Sequence, residues 1–219
     1  MTDRPIPFSA PMVRAILDGR KTMTRRALKP QPIPEVRSVF CVATQKSTGR
    51  PVFNMRGPLG GTICGLPCKH GLLGEIIPPY AVGDRLWVKE ALERANGEAV
   101  GYPADGTWLP NTHWHWKRAH LPSRFMPRWA SRITLEVTGV RVERLQEISE
   151  EDAKAEGAEQ EAAYTGHHDE AGNPEECGSY RLGFCMLWAS IYGPGAWEAN
   201  PWVAVIEFKR IDAVRAEGR

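Results

Sequence analysis

"ASRITLEVTGVRVERLQEISEEDAKAEGA", residues 130–158, passes from one hydrophobic period to another, and that change decides how the chain is read. Ile133, Leu135 and Val137, then Val140 and Val142, recur at every second position apart from one longer step. That alternation predicts a long or bulged strand with one buried face. Beyond Leu145 it stops. Ser149 is placed to cap a short helix, Asp152 stands in the capping-box position, and Gly157 supplies the left-handed stop. Two further segments have strand character. In "VGDRLWVKEAL", residues 82–92, a Gly-Asp turn precedes Leu86 and Val88 alternating with Trp87 and Lys89. "NPWVAVIEFKRI", residues 200–211, reads as a final strand. Two helices complete the scheme: "FSAPMVRAILDGRK", residues 8–21, with Ser9 as cap, Met12, Ala15 and Ile16 as its apolar stripe and Gly19 as stop, and "YRLGFCMLWASIYG", residues 180–193.

The intervening stretches carry no clear period. Residues 31–78 are rich in Pro and Gly, 92–124 hold an irregular Trp and His sequence, and 158–180 are polar and glycine-containing. They are expected to be loop insertions. With no regular alternation of strand and helix and no internal repeat, the reading is an α+β chain: a small mixed β-barrel with short flanking helices and long loop insertions. A single domain over 1–211 is expected, with 212–219 as a frayed tail.

The chain has 219 residues, 42% of them hydrophobic and 25% charged, enough for one substantial core. No apolar run is long enough to span a bilayer, and the first residues, Met-Thr-Asp-Arg-Pro, lack the apolar core of a signal peptide. A cytoplasmic location and no membrane partner are expected. Five cysteines at irregular spacing do not make a disulfide framework. The formal net charge is only +2, but it is unevenly distributed. Residues 14–29 carry Arg14, Arg20, Lys21, Arg25, Arg26 and Lys29 against Asp18 alone. Residues 106–135 contain no acid, and set Lys117, Arg118, Arg124, Arg128 and Arg132 among His113, His115 and His120. The acids are gathered between Glu143 and Glu161.

The basic stretch after the first helix, "GRKTMTRR", residues 19–26, combines four cations with two threonines. Its place ahead of "GDRLWV", the long strand with "ISEEDAKAEG", and "WVAVIEF" resembles the ASCH domain of the PUA-like barrel superfamily, which is associated with RNA and modified nucleosides. The longer arrangement, with "MPRWASRITLEVTGVRVERLQEISEEDAKAEG", is similar to forms found in bacteriophages and prophages. The family pattern is Gly-x-Lys-x-x-Glu-x-Arg. Gly19, Lys21 and Arg26 match it, and Thr24 stands where the pattern has Glu. The same departure marks a small bacterial branch, the N(4)-acetylcytidine amidohydrolases, whose Lys, Thr and Glu catalytic set the resemblance carries onto Lys21, Thr24 and Glu156.

A threonine hydroxyl is a weak nucleophile and needs a base to take its proton. Lys21 can serve if burial, or Arg25 and Arg26 beside it, lower its proton affinity. In the resulting scheme Thr24 attacks the acyl carbonyl of an acylated exocyclic amine, with Arg26 or a backbone N–H stabilising the oxyanion. Glu156 would hold Lys21, assist the leaving amine, or activate the hydrolytic water. No cofactor is required. Read without the resemblance, the same cations merely complement a helix C-terminus and Thr24 is an ordinary strand residue.

A flat base also needs aromatic or guanidinium faces, and the chain has eight tryptophans. Trp87 is either a ring contact or a core residue, and Glu90 either reaches the pocket mouth or ends its strand in solvent. Arg25, Trp114, Trp116, Lys117, Arg118 and Arg128, together with Trp129, are the expected nucleic-acid contacts, through phosphate neutralisation and stacking. The alternative is an insertion that packs its tryptophans on the barrel. His113 and His115 read as polar or phosphate-facing. Cys41, Cys64, Cys68 and His70 have the types for a structural zinc site, or are free thiols with a bystander histidine. Three functions follow: an amidohydrolase acting on a cytidine-like nucleoside or base, a non-catalytic reader of RNA or modified DNA bases, and a ribonuclease in which Lys21 and Arg26 contact the scissile phosphate. The partner is a modified nucleoside or nucleic acid in each case.

Overall fold

In chain order the elements are β1 (Asp3–Pro7), α1 (Ala10–Leu17), β2 (Met23–Ala27), β3 (Ser38–Thr44), β4 (Pro51–Arg56), β5 (Leu72–Ile76), β6 (Arg85–Lys89), β7 (Leu92–Ala95), β8 (Ala99–Tyr102), β9 (Thr107–Leu109) and β10 (His120–Leu121). After two short 3-10 turns come β11 (Thr134–Arg144), α2 (Glu150–Ala155), β12 (Glu161–His168), β13 (Pro174–Ser179), α3 (Tyr180–Tyr192) and β14 (Trp202–Ile211). The computed structural model describes residues 3–32, 36, 38–45, 49–56, 72–95, 99–109, 112–168 and 174–211. The chain is α+β and mostly strand, and none of the sheets among the described residues closes into a barrel. No described helix is long and apolar enough to cross a membrane.

The chain divides into two units, each drawn from separate stretches. The first comprises residues 1–22, 83–138 and 208–219. Here β1 pairs in parallel with β6, Ile6 opposite Val88, and β6 pairs antiparallel with the start of β11, Leu86 opposite Leu135. Ile6, Leu86, Val88, Ile133 and Leu135 are fully buried, as the period-2 pattern requires. Residues 92–124, expected to be a loop insertion, instead contain an antiparallel sheet in the order β10-β7-β8-β9. Leu92, Val100, Tyr102, Trp114, Leu121, Met126 and Ala130 form its core. Strands of two to four residues are too short to display alternation, so their pairing is not visible in local sequence.

The second unit comprises residues 23–82 and 139–207. β14 pairs antiparallel with β2, Ile206 opposite Thr24 and Ala204 opposite Arg26. The run from Trp202 to Ile206 is buried throughout, which is why it reads as continuous apolar sequence. Met23, Leu145, Ile148, Ala153, Phe184, Trp188, Val203 and Val205 gather around it and join β2, α2 and α3. The described parts of the other two expected insertions also contain strands. Within 31–78, β3, β4 and β5 form an antiparallel sheet, and within 158–180, β12 and β13 form a hairpin pair.

The helices end at their expected glycines, and one of the two expected serine caps is made. Ser149 accepts a hydrogen bond from the Asp152 N–H at 3.1 Å, and Gly157, at φ +79°, closes α2. Ser9 precedes α1 in extended conformation without a side-chain cap, and Gly19 ends the helix at φ +74°. The buried face of α1 is Val13, Ala15 and Ile16, with Met12 only half-buried.

Candidate active site

The left-handed turn at Gly19 folds the chain back so that Gly19 N–H donates to Ile16 and Lys21 N–H to Ala15. That reversal buries the Lys21 side chain, 2% exposed, with its ammonium 5.6 Å from the Phe8 ring centroid, a distance at which the ring face attracts a cation. Arg20 points to solvent beside Asp18. Lys21 belongs to the first unit; Thr24, Arg25, Arg26 and Glu156 belong to the second.

On β2 successive side chains alternate, so Met23 and Arg25 share one face and Thr24 and Arg26 the other. Thr24 is 2% exposed. Half-buried Arg26 lines a cleft of about 530 Å3 together with Lys29, Arg50, Met55, Glu75 and Ile76. Arg25 is fully enclosed. Its Nη2 donates to Glu143 Oε1 and to Asp152 Oδ2, both at 2.6 Å, and its Nη1 to Glu156 Oε1 at 3.4 Å. Phe184 lies 5.9 Å from its guanidinium, and Met23 Sδ accepts from Nη1 at 3.4 Å. Arg141 closes the network by pairing with Glu143, Asp152 and Glu207. Burial works against the Arg141 charge, but the hydrogen bond and field of Glu143, with Asp152 and Glu207, raise its proton affinity. Two guanidiniums thus meet four carboxylates. Such a cluster is tolerated in a low-dielectric interior only when the forks are filled by hydrogen bonds.

The network is built from simple spacings. Arg141 and Glu143 are two apart on β11 and therefore share a face, and Asp152 and Glu156 are four apart at the end of α2. Arg25 and Glu156 stand out in the sequence, whereas Glu143, Arg141 and Asp152 do not. The i, i+2 and i, i+4 pairings of opposite or like charge are the signal that could have found them.

The remaining expected site residues fall elsewhere. Trp87 is half-buried on the face of β6 opposite Leu86 and Val88, so it is not a core ring. Lys89 Nζ lies 5.4 Å and the Arg128 guanidinium 5.6 Å from its centroid. Glu90 does not end its strand in solvent. It is 1% exposed and holds Arg132 through both carboxylate oxygens at 2.8 and 2.9 Å. Arg132 also donates to Asp105 at 2.7 Å and lies 3.9 Å over the Tyr102 ring. Burial pushes the Tyr102 phenol well above its usual range. At Asp105 burial is outweighed by the hydrogen bonds from Arg132 and Thr107, which hold the carboxyl below the usual carboxylate range.

Trp114 does not face solvent. Its ring is core, 8% exposed, and its indole N–H donates to Arg118 O at 2.8 Å. Trp116 is half-buried and stacks on exposed Trp129, with centroids 6.2 Å apart and planes at 15°. His113, His115, Lys117, Arg118 and Arg128 are exposed, and Arg128 pairs with Asp3 at 3.2 Å. Cys64, Cys68 and His70 lie outside the described residues, and Cys41 is exposed on β3. Among the described residues no group of three or more His, Cys, Asp or Glu is arranged to hold a metal. Comparisons of the chain with protein-family models, with curated proteins and with solved structures gave no match.

Proposed function

We propose that this chain is an ASCH-type protein of the PUA-like group and an amidohydrolase that removes an acyl group from the exocyclic amine of a cytidine-like nucleoside or base. The observation that carries the reading is one of burial. Among the described residues, six polar or charged side chains are buried, and four of them are Lys21, Thr24, Arg25 and Glu156. Burying such groups costs free energy that a position with no part in chemistry avoids.

In this reaction Lys21 acts as the neutral amine: Thr24 Oγ1 attacks the acyl carbonyl while its proton passes to Lys21, three residues earlier in the chain. Arg26 stabilises the oxyanion. The C–N bond then breaks, the departing amine takes the proton back from Lys21, and the acyl group remains as an ester on Thr24. Water hydrolyses that ester and releases the carboxylic acid, and Glu156, held by Arg25 on the other face of β2 from Thr24, acts by placing that strand. Arg25 holds Glu156 by its ion pair at 3.4 Å and is a positioning residue. The cleft beside Arg26 is the proposed seat of the nucleoside.

The test is incubation of the purified protein with N(4)-acetylcytidine, following cytidine release by chromatography. Thr24→Val should abolish release, and Lys21→Ala should lower it by roughly 10²- to 10⁴-fold, the usual contribution of a positioned base. Absence of release by the folded wild-type protein, or turnover undiminished in Thr24→Val, refutes the proposal. Cleavage of an RNA substrate that disappears with Lys21→Ala would instead identify a ribonuclease.

A further inference from the structure

The acid-free stretch between residues 106 and 135 surrounds a second cleft, within the first unit and independent of the reaction proposed above. It has a volume of about 290 Å3, and Trp116, Lys117, Arg118, His120, Arg124 and Phe125 are among the residues that line it. Three of these are permanent cations, and no acid lines the cleft. Glu93, opposite His120 in the β7–β10 pairing, is the acid nearest in register, and Asp3 is taken up by Arg128.

Trp116 packs against the core of this sheet, but two other rings around the cleft do not. Phe125 is 58% exposed, with the Arg124 guanidinium 4.8 Å over its ring, and Trp129 is 54% exposed while it stacks on Trp116. Exposed rings grouped on one surface, rather than scattered singly, mark a place where a partner is met. The surface continues to a third ring. Lys89 Nζ donates to Arg124 O and lies over Trp87, which Arg128 covers as well.

We propose that this surface binds single-stranded nucleic acid, with bases stacking on Trp129 and Phe125 and the backbone phosphates meeting Lys117, Arg118 and Arg124. Flat faces beside fixed cations suit a strand whose bases are unpaired, because stacking tolerates any base and the cations neutralise phosphates. A cleft at the small end of the range for ligand sites suits one ring rather than a duplex edge. A duplex presents no free base face, and an acidic protein offers no regular run of flat rings.

The experiment is fluorescence anisotropy of labelled twelve-nucleotide oligo(U) and oligo(dT), and of a duplex of the same length, titrated with the full chain at several salt concentrations. Binding to single strands in preference to duplex is expected. Trp129→Ala should weaken it roughly 5- to 150-fold, the range for removing one stacked base. Replacing Lys117, Arg118 and Arg124 together by Ala should weaken it further and make the log–log salt slope shallower by about 2, near 0.7 for each phosphate no longer neutralised. Because all four side chains are exposed, far-UV circular dichroism should be unchanged in these variants. Comparing the oligo(U) and oligo(dT) curves tells RNA from DNA. Equal affinity for duplex, wild-type affinity in Trp129→Ala, or heparin displacing the strand from Trp129→Ala and wild type alike would overturn the proposal in favour of a plain polyanion surface.

Discussion

Replacing Arg25 by Met removes a fully enclosed guanidinium that touches Glu143 and Asp152 at 2.6 Å and Glu156 at 3.4 Å. Methionine fills much of the space, so the main effect is electrostatic. Three carboxylates lose their shared cation, one of them only 2% exposed, and Arg141, itself 35% exposed, is left to face two of them, Glu143 and Asp152. Breaking a buried pair by deleting one partner costs about 3–5 kcal/mol, because the remaining charge stays desolvated without compensation. For a chain of this size each kcal/mol moves the melting temperature by about 2–4 °C, so a fall of about 6–20 °C is expected. The assay is thermal unfolding at pH 7 followed by both far- and near-ultraviolet circular dichroism, since coincidence of the two probes tests whether a single midpoint is meaningful. Arg128→Met is the internal control: its pair with Asp3 is about half exposed on both sides, and a loss below about 1 kcal/mol is expected there. The double variant Arg25→Met with Glu156→Gln should recover about 0.5–3 kcal/mol relative to additivity, the range for groups in one network. If Arg25→Met melts within about 2 °C of the wild type, less than 1 kcal/mol on the same scale, the buried network is not what holds β2 to α2, and the reasoning fails.

Three other outcomes follow from the geometry. Gly183 lies inside α3, where alanine would ordinarily be the better helix former, but a Cβ there would sit 1.9 Å from the Glu159 carbonyl oxygen. Gly183→Ala should therefore lower stability by more than about 1 kcal/mol in urea titration, reversing the sign expected from helix propensity alone. Arg132→Met strips Glu90 of its bidentate partner and should cost about 3–5 kcal/mol, measured in the same way, with Glu90→Gln in the same chain restoring part of it. Glu150 accepts from Ser179 Oγ at 2.8 Å and from the Tyr180 N–H at 2.7 Å at the start of α3, and the Ser179 hydrogen bond foremost holds its carboxyl below the usual range. Its folded-state proton affinity being lowered, the stabilisation is complete above the unfolded value and is lost as pH falls through the folded one. In this solvent-screened position Glu150→Gln should cost about 0.3–1 kcal/mol at pH 7, and that difference should shrink as pH falls below the unfolded carboxylate range and be lost once the folded carboxyl is protonated.

Several elements are written in signals that are local and repeated. β11 shows five alternating apolar positions with its flank, β14 an unbroken apolar run, α2 its Ser149 cap and Gly157 stop, and α1 its Gly19 stop. Each is spelled out within ten or so neighbouring residues, and the backbone there needs no distant partner to choose its conformation. The strands of residues 31–78, 92–124 and 158–180 were not legible, since short segments of mixed polarity become strands only when another segment supplies the ladder. The same division holds at the candidate site. Lys21, Thr24 and Arg26 stand out by type and spacing, yet the enclosure of Arg25 among three carboxylates depends on residues more than a hundred positions away. Trp114 and Trp116, alike in sequence, part company for the same reason: one ring enters the core of the β7–β10 sheet and the other stacks at the surface. Charge and aromaticity are properties of residues, whereas desolvation and pairing are properties of positions, and only the tertiary structure assigns the positions.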